Sequence, residues 1–298
     1  MIIAKLQGGL GNQMFQYAFA RALAETRQEP LLIDNSFYEQ EIPGVDKREI
    51  ELELFPAIRL NYAGPKLSSS FYQVSRWDNR LRNLLGFKKR AVLREHNFRY
   101  DPSYLSMPQH LLLDGLFQSE RYFSDQAPLI AATFAFPAFA AADPNGSYLQ
   151  QIRSSLSVSV HVRRGDYVKF ASTHAIHGTC STGYYRNAMQ QLRERFPDAR
   201  FFFFSDEPEW IRQNLAPDES VGSVISLNKG RDSWKDMCLM SHCRHHIIAN
   251  SSFSWWGAWL NRNPDKQVIA PEKWFRTNDP FFNTTDLLPA GWIKRNNE

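Results

Sequence analysis

The sequence predicts an α/β protein built on parallel sheets, and two observations support that prediction. From residue 157 onward, short apolar runs with the length of strands alternate with stretches that have helical spacing. The chain also opens with a strand, a glycine-rich turn, a helix and a second strand, which together make a βαβ unit. Alternation of this kind is typical of a doubly wound parallel sheet with helices on both faces.

The opening unit follows directly from the residue pattern. IIAKL (2–6) is a short apolar strand, and QGGLGN (7–12) is a turn. MFQYAFARALAET (14–26) places its apolar residues at helical spacing, and PLLID (30–34) is a second buried strand. Two strands joined through a helix favour parallel pairing.

The middle of the chain is less regular. Residues 35–110 are rich in basic and aromatic side chains, so we expect helices and long loops there. LLLDGLFQSERYF (111–123) predicts another strand followed by the start of a helix. AADPNGS (141–147) holds several turn formers and is the best linker candidate. We therefore predict two domains, 1–150 and 151–298.

The second half of the chain has the clearest alternation. We predict strands over 157–162, 200–205, 223–227, 245–249 and 267–270. Helices are predicted over 184–196, 208–215, 232–243 and 252–263. Five strands separated by helices predict a doubly wound parallel sheet.

Composition limits the class of function. Charged residues make up 22% and apolar residues 43% of the 298 residues, which argues against disorder and allows a sizeable core. A net charge of +4 is too small for a typical nucleic-acid-binding protein but suits a small anionic substrate. Cys180, Cys238 and Cys243 do not make a disulfide framework, which fits a reducing compartment.

The sequence has no evident membrane or export signal. The start lacks a basic leader followed by a long apolar core, and the longest apolar run, 128–142, is interrupted by Pro137. We therefore expect a cytoplasmic protein with at most a peripheral contact to the inner membrane, for which the aromatic stretch 71–87 is the candidate surface. The oligomeric state stays open.

The most informative motif is HVRRGDY (161–167), which ends the strand-like run LSVSVHV. A period of two places His161 and Arg163 on one face of that strand. Two arginines, Arg163 and Arg164, suit an anionic group such as a diphosphate, because guanidinium donors match phosphate oxygens in pairs. The alternative is an arginine-rich strand end held by surface salt bridges.

Two further motifs follow neighbouring strands. Asp206 follows the strand 200–205, and Asn250, Ser251 and Ser252 follow the strand 245–249. Since ligands bind beyond the carboxyl ends of parallel strands, we expect these motifs at one rim. The two serines begin a helix whose free N–H groups would stabilise a phosphate. Simple helix capping is the alternative for both motifs.

Other functional sites are disfavoured. GGLGN (8–12) is not a dinucleotide fingerprint, because Met14 stands where that pattern requires a small residue. The histidines and cysteines of 238–246 lack the paired spacing of a zinc site, so we expect no metal. Neither a nucleophile elbow nor a Walker phosphate loop is present.

Four blocks together resemble a known family. They are GGLGNQMFQYAFARAL (8–23), HVRRGDY (161–167), FFFSDEPEW (202–210) and HHIIANSSFSWWGAWL (245–260). In this order they resemble the α-1,2-fucosyltransferases of bacterial and animal glycan synthesis. The combination is specific, whereas any single block is not. Residues 35–150 carry little of the resemblance.

The resemblance implies a metal-independent, inverting transferase of the two-domain, Rossmann-like GT-B type. Such an enzyme moves fucose from GDP-β-L-fucose, its co-substrate, to the 2-hydroxyl of a terminal galactose in a glycan such as an O-antigen. The resemblance places the donor in the C-terminal domain, 151–298, and acceptor specificity in the N-terminal one, 1–150. The alternatives are a GT-B glycosyltransferase with another nucleotide sugar and a non-catalytic nucleotide- or glycan-binding protein.

The resemblance also implies roles for single residues. Arg163 matches the family arginine that binds the β-phosphate, while Arg164 binds the donor or braces the loop. Ser251, Ser252 and Phe253 would contact the phosphates at the helix N-terminus, and His161 would contact the nucleotide.

Guanine needs a carboxylate for its N1–H and N2–H₂ edge. Asp236 precedes the two serines by fifteen residues. In this it resembles the core α-1,6-fucosyltransferases, in which an aspartate at the matching place binds guanine. Asp206 is the other candidate near the nucleoside. An exposed helix carboxylate is the alternative for Asp236.

The general base is open between two residues. Asp166 is nearest to Arg163 in the sequence, and its alternative role is to orient the arginines. His177 is the rival. Asn12 resembles the asparagine that O-fucosyltransferases with a Gly-Asn-Gln loop place near the reacting sugar, and it would position a substrate without acting as a base.

Overall fold

The computed structural model describes residues 1–40, 48–215 and 222–298, without the side chains of Asp166 and Ser172. Every strand pair within these residues is parallel. The strands form two sheets, each accompanied by helices. The predicted α/β class with two Rossmann-like parallel sheets is therefore confirmed.

The chain divides into two units. Unit 1 comprises Met1–Pro137 and Asn283–Pro289, and unit 2 comprises Ala138–Phe282 and Ala290–Glu298. The predicted boundary at residue 150 therefore differs from the observed division. Asn145 explains the difference, because its side chain hydrogen-bonds Asn228 of unit 2.

The return of residues 283–289 to unit 1 has a local cause. The Asp286 carboxylate accepts hydrogen bonds from Arg121 Nη1 at 2.7 Å and from the Tyr100 N–H at 3.2 Å. Its carbonyl accepts from the Ser119 hydroxyl at 2.7 Å. The sequence carries no local signal for such a long-range return of the chain.

Unit 1 holds a four-stranded sheet in the order β2-β1-β4-β3. Its strands are β1 (Ile2–Lys5), β2 (Leu31–Asp34), β3 (Arg90–Arg94) and β4 (His110–Asp114). Its helices are α1 (Leu10–Arg27), α2 (Pro65–Tyr72), α3 (Arg76–Leu84), α4 (Ser103–Ser106) and α5 (Ala127–Thr133). The two central strands are almost fully buried because helices and loops cover both faces of the sheet.

Unit 2 holds a six-stranded sheet in the order β10-β9-β8-β5-β6-β7. Its strands are β5 (Leu156–Val162), β6 (Ala199–Ser205), β7 (Gly222–Ile225), β8 (His245–Ile247), β9 (Val268–Pro271) and β10 (Ile293–Arg295). Counted within the unit, this is the 3-2-1-4-5-6 order of dinucleotide-binding folds. The strand order reverses between β5 and β8, which is where such folds bind their ligands.

Helices cover the sheet of unit 2. They are α6 (Asn145–Ser154), α7 (Gly165–Lys169), α8 (Ala171–His177), α9 (Thr182–Arg195), α10 (Pro208–Asn214), α11 (Trp234–Ser241) and α12 (Ser252–Trp259). The four phenylalanines 201–204 of β6 are fully buried, as are Trp255 and Trp256 of α12. A continuous apolar run marks a strand that is covered on both faces.

Several local predictions differ from the structure. The predicted helix at 14–26 begins earlier, at Leu10, so the turn is shorter than 7–12. After β4 the chain enters single 3₁₀ turns, Glu120–Tyr122 and Ser124–Gln126, instead of starting an α-helix. Strands β3 and β10 were not predicted, because their residues are mostly polar or half-buried at sheet edges.

The described helices include none that is both long and apolar enough to cross a lipid bilayer.

Candidate functional site

The candidate site lies at the reversal point of the unit 2 sheet. Arg163 follows the end of β5, Asp206 follows β6, and Asn250 follows β8. Strands β5 and β6 are paired in register up to Val162 and Ser205, so the residues that follow them emerge at the same edge. The prediction that these motifs share one rim is confirmed.

The guanidinium of Arg163 is held by an ion pair. Its Nη1 lies 3.0 Å from Asp206 Oδ2, and both side chains are about one-quarter exposed. Asp206 Oδ1 also accepts a hydrogen bond from the backbone N–H of Arg164 at 3.1 Å. One carboxylate therefore fixes both the strand-end loop and the arginine, which reduces the entropy lost when the arginine binds an anion.

Arg164 braces the neighbouring loop. Its Nε donates to Glu207 Oε2 at 3.1 Å, and its guanidinium lies over the Trp210 ring, 4.4 Å from the centroid. The two consecutive arginines therefore point to different partners. The ion pair with Glu207 supports the bracing role, while a donor contact of Arg164 stays a prediction.

Tyr167 connects the arginine to the start of α12. The guanidinium of Arg163 lies 5.6 Å from the centroid of the Tyr167 ring, and the Tyr167 hydroxyl donates to the Asn250 carbonyl at 3.2 Å. Asn250 is fully buried, and its side-chain amide donates to the carbonyls of His177 at 2.9 Å and Trp274 at 3.1 Å. These contacts bring the arginine and the 251–253 segment into one cluster.

The amino end of α12 has the properties of an anion site. Ser251 is the N-cap residue, but its hydroxyl makes no capping hydrogen bond. The helix dipole and the N–H groups of the first turn attract negative charge at this point. Plain capping together with core aromatics was the alternative prediction. The capping hydrogen bond of Ser251 is absent, whereas Trp255 and Trp256 are buried as that alternative predicts.

His161 completes the cluster as a neutral side chain. Its ring lies 5.7 Å from the ring of Phe253, and within the described part of the chain its buried Nδ1 has no hydrogen-bond partner. Burial, together with the nearby charge of Arg163, lowers the pKa of His161 to about 3. A neutral imidazole with an unsatisfied nitrogen fits a hydrogen bond to a bound nucleotide.

Asp236 lies in the first turn of α11 and is buried. Its Oδ1 accepts a hydrogen bond from Asn228 Nδ2 at 2.6 Å, and Asn228 exchanges hydrogen bonds with Asn145 at 2.9 Å in both directions. An exposed helix carboxylate, the alternative prediction, is therefore wrong. Guanine binding by Asp236 stays a prediction.

Burial raises the pKa of Asp236 from its usual value near 3.8 to about 7, and the Asn228 hydrogen bond opposes part of that rise. A buried carboxylate with one neutral partner is unusual in a core and costs folding free energy. Such groups occur preferentially at functional sites.

The structure does not choose between Asp166 and His177 as the general base. The side chain of Asp166 lies outside the described residues. The ring of His177 stacks on Tyr167 at 4.6 Å between centroids and contacts Phe275 at 5.2 Å. His177 therefore supports the Tyr167 ring on which Arg163 rests, and a role as the base stays a prediction.

Asn12 belongs to unit 1, in the first turn of α1. Its Oδ1 accepts a hydrogen bond from Gln118 Nε2 at 2.9 Å, so the loops after β1 and β4 are joined. Gly8 precedes it with φ +78°, and a Cβ at that glycine would lie 2.6 Å from Asn12 Nδ2. The glycine is therefore required for the asparagine to sit where it does.

The loop after β4 is held by a half-buried carboxylate. Glu95 accepts hydrogen bonds from the N–H groups of Leu116 at 2.7 Å and Phe117 at 3.0 Å. Phe117 has φ +51°, a costly conformation for a residue other than glycine. The two hydrogen bonds hold this conformation in the loop that presents Gln118 to Asn12.

Comparisons with known proteins identify the family of this chain. The model of "Glycosyl transferase family 11" matches residues 1–296. The chain belongs to this family. It is therefore a glycosyltransferase, and the predicted resemblance is confirmed.

Individual proteins similar to this chain have more specific names. The chain is 33% identical to the alpha-1,2-colitosyltransferase of Escherichia coli over 294 residues, covering 99% of this chain and 98% of that protein. It is 36% identical to galactoside alpha-(1,2)-fucosyltransferase 1 of Leontopithecus chrysomelas over 105 residues, which are 35% of this chain and 28% of that protein. The solved fucosyltransferase NodZ from Bradyrhizobium is similar with 16% identity and a TM-score of 0.47, covering 86% of this chain and 90% of that one.

Two side chains that connect Arg163 to the start of α12 in this family 11 glycosyltransferase were not predicted from the sequence. Tyr167 and Asn250 both lie inside motifs identified in the sequence, yet neither received a role. The sequence offered no signal that sets Tyr167 and Asn250 apart from their neighbours, because an asparagine ahead of a helix is a common capping residue. Their hydrogen bond across 83 residues could not be inferred from the sequence.

The histidines and cysteines of 238–246 serve the core of the glycosyltransferase. His246 contacts the Ser159 hydroxyl at 2.7 Å and the Asn261 amide at 2.6 Å, and Cys238 and Cys243 are buried. Among the residues the structure describes, no three His, Cys, Asp or Glu side chains are grouped to hold a metal ion.

Gly165→Ala is expected to disrupt the arginine site. A Cβ at position 165 would lie 2.6 Å from Asp206 Oδ2, which is closer than van der Waals contact allows. The carboxylate must move away and release Arg163, so we expect transferase activity to fall about tenfold or more, with little change in the melting temperature. Gly146→Ala, where no atom lies within 4 Å, is the matched control. Wild-type activity in Gly165→Ala would contradict the positioning role of Asp206.

Proposed function

We propose that this glycosyltransferase transfers L-fucose from GDP-β-L-fucose to the 2-hydroxyl of a terminal galactose, with inversion at the anomeric carbon. Family membership supports sugar transfer, and the names of two relatives support an α-1,2 linkage. The observation that carries the donor half of the proposal is the Arg163 guanidinium, held by Asp206 and Tyr167 in the same cluster as the amino end of α12.

The proposed reaction explains why a guanidinium and the amino end of a helix lie in one cluster. As the C1–O bond of the donor breaks, the sugar gains oxocarbenium character and the diphosphate gains negative charge. Arg163 and the N–H groups of the first turn of α12 would stabilise that charge without reorganising, because both are fixed before the reaction. The acceptor hydroxyl attacks the opposite face of C1, and its proton passes to a base, for which Asp166 and His177 remain the candidates.

The proposal needs no metal ion or other cofactor. A guanidinium and helix N–H groups supply the positive charge that Mg²⁺ provides in many phosphate sites. Transfer is therefore expected to continue in the presence of EDTA.

The name of one relative supports GDP-colitose as a second candidate donor. The E. coli relative that matches 99% of this chain is named a colitosyltransferase. Colitose is L-fucose without its 3-hydroxyl, so the same diphosphate and guanine contacts would serve GDP-colitose. The two donors differ only in the 3-hydroxyl. The preference between them therefore depends on whether a polar group of the protein binds that hydroxyl.

The test is a donor competition with product analysis. The enzyme is incubated in EDTA with GDP-fucose, GDP-colitose or UDP-galactose and a panel of β-galactosides, and the linkage of each product is determined by mass spectrometry and NMR. We expect an α-1,2-fucosylated galactoside, with the highest kcat/KM for GDP-fucose. A higher kcat/KM for GDP-colitose would move the assignment to colitosyl transfer, and a strict metal requirement would contradict the proposed role of Arg163 and the N–H groups of α12.

A further inference from the structure

The most unusual surface of the protein lies in unit 1, on α3 and the turn that follows it. We call residues 76–89 the α3 segment. Five large apolar side chains in it are more than half exposed, namely Trp77, Leu81, Leu84, Leu85 and Phe87. The helix α3 itself buries none of its residues. Apolar side chains concentrated in this way mark an interaction surface.

The apolar face of α3 points away from the protein. Trp77, Leu81 and Leu84 recur at intervals of four and three residues, so they lie on one side of the helix. The side chain that attaches α3 to the rest of unit 1 is polar. Asn79 Nδ2 donates to the Arg90 carbonyl at 3.0 Å, and the Arg90 N–H donates to Asn79 Oδ1 at 2.9 Å. This arrangement is the reverse of an ordinary amphipathic surface helix, whose apolar side faces the core.

The α3 segment also carries much of the positive charge of the chain. It contains five basic residues and one carboxylate, which gives a net charge of +4, equal to that of the whole chain. The basic residues are Arg76, Arg80, Arg82, Lys88 and Lys89. Its carboxylate, Asp78, is engaged in the capping box with Ser75. Lys88 pairs with Glu29, so the excess positive charge of this surface rests mainly on its arginines and Lys89.

Basic and aromatic groups lie side by side within the segment. The guanidinium of Arg80 lies 5.1 Å from the Trp77 ring centroid, and that of Arg82 lies 5.9 Å from the Phe87 ring centroid. At the boundary between lipid headgroups and acyl chains, aromatic rings and basic side chains are favourable together.

We propose that the α3 segment docks this glycosyltransferase on the surface of an anionic lipid bilayer. The apolar side chains would enter the interfacial layer, while the basic side chains would contact anionic headgroups. Charge decides between this occupant and a second copy of the chain. Two copies meeting through this face would bring two segments of +4 together, whereas anionic headgroups complement them.

The test is vesicle flotation of the full chain. Wild type is mixed with vesicles of phosphatidylcholine containing phosphatidylglycerol, or of phosphatidylcholine alone, at low and high salt. We expect binding to the anionic vesicles that high salt weakens, and little binding to the neutral ones. Each basic side chain near such a surface is worth about fivefold in partitioning.

Two variants separate the apolar and the charged contributions. Trp77→Gln/Leu84→Gln removes exposed apolar groups, and Arg80→Glu/Lys89→Glu reverses two exposed charges. Each is expected to lower the partition coefficient about tenfold or more while the melting temperature stays at the wild-type value. Arg262→Glu/Lys294→Glu makes the same change in net charge at exposed positions of unit 2 and should bind like wild type.

Three outcomes would overturn the proposal. Wild type could fail to float with the anionic vesicles, or the control variant could lose as much binding as Arg80→Glu/Lys89→Glu. Light scattering could instead show a dimer that Trp77→Gln/Leu84→Gln converts to a monomer, with no vesicle binding, which would assign the surface to self-association. None of these readouts depends on which sugar the enzyme transfers.

Discussion

Arg163→Lys is expected to lower kcat for fucosyl transfer about a hundredfold or more. Lysine keeps the positive charge but concentrates it on one nitrogen, so it lacks the planar fork by which separate guanidinium nitrogens can contact Asp206 and a phosphate oxygen. Loss of one preorganised donor to a developing anion costs about 10²–10³ in kcat. The measurement is GDP release in the presence of a galactoside acceptor, with KM determined for the donor.

The matched control is Arg262→Lys, an exposed arginine of unit 2. It should keep wild-type kinetics, and both variants should keep the wild-type melting temperature, because Arg163 is itself partly exposed. If Arg163→Lys transferred fucose at more than about one-third of the wild-type rate, its guanidinium could not be the main stabiliser of the leaving diphosphate.

Asp236→Asn is expected to weaken GDP binding about ten- to a hundredfold at pH 8. An ionised carboxylate accepts the N1–H and N2–H₂ donors of guanine, whereas an amide can offer only one acceptor atom. Isothermal titration calorimetry with GDP and IDP gives the test. IDP lacks the 2-amino group, so the preference for GDP should shrink in the variant. An unchanged preference would exclude Asp236 from guanine recognition.

Asp236→Asn should also change the pH dependence of GDP binding. Burial raises the pKa of Asp236 to about 7, while the proposed guanine contact requires its charged form. Wild-type affinity should therefore fall up to about tenfold for each pH unit below 7. The phosphates of GDP titrate in the same range, so the informative quantity is the difference in slope between wild type and Asp236→Asn.

The same variant should stabilise the ligand-free protein at alkaline pH. The folded-state pKa of Asp236 is raised, so the folded state binds more protons than the unfolded state between about pH 4 and 7. Wild-type stability therefore falls across that range, by on the order of 2–4 kcal/mol from this group. Asparagine has no such titration. The free energy of unfolding of Asp236→Asn should exceed that of wild type at pH 8, and the difference should shrink toward pH 4.

The parts of the fold that follow from local pattern were predictable. Buried parallel strands such as Phe201–Phe204 are apolar without interruption, and α12 follows from its own run of apolar residues, of which Trp255 and Trp256 are fully buried. Strand β3 was not predictable in this way, because its residues Arg90–Arg94 pair at a sheet edge and only Leu93 is buried.

The candidate site was predictable to the level of motifs but not of contacts. The rule that ligands bind at the carboxyl ends of strands placed Arg163, Asp206 and Ser251 at one rim. That Asp206 holds Arg163, while Arg164 turns to Glu207, depends on side-chain geometry that no spacing encodes. The burial of Asp236 is also tertiary, since Asn228 hydrogen-bonds it and is itself held by Asn145 from a separate part of unit 2.

A crystal structure with bound GDP tests the central claim most directly. We expect the β-phosphate within hydrogen-bond distance of the Arg163 guanidinium and of the backbone N–H groups of Ser252 or Phe253. A β-phosphate held elsewhere, or bound through a metal ion with Arg163 still turned to Asp206 alone, would contradict it.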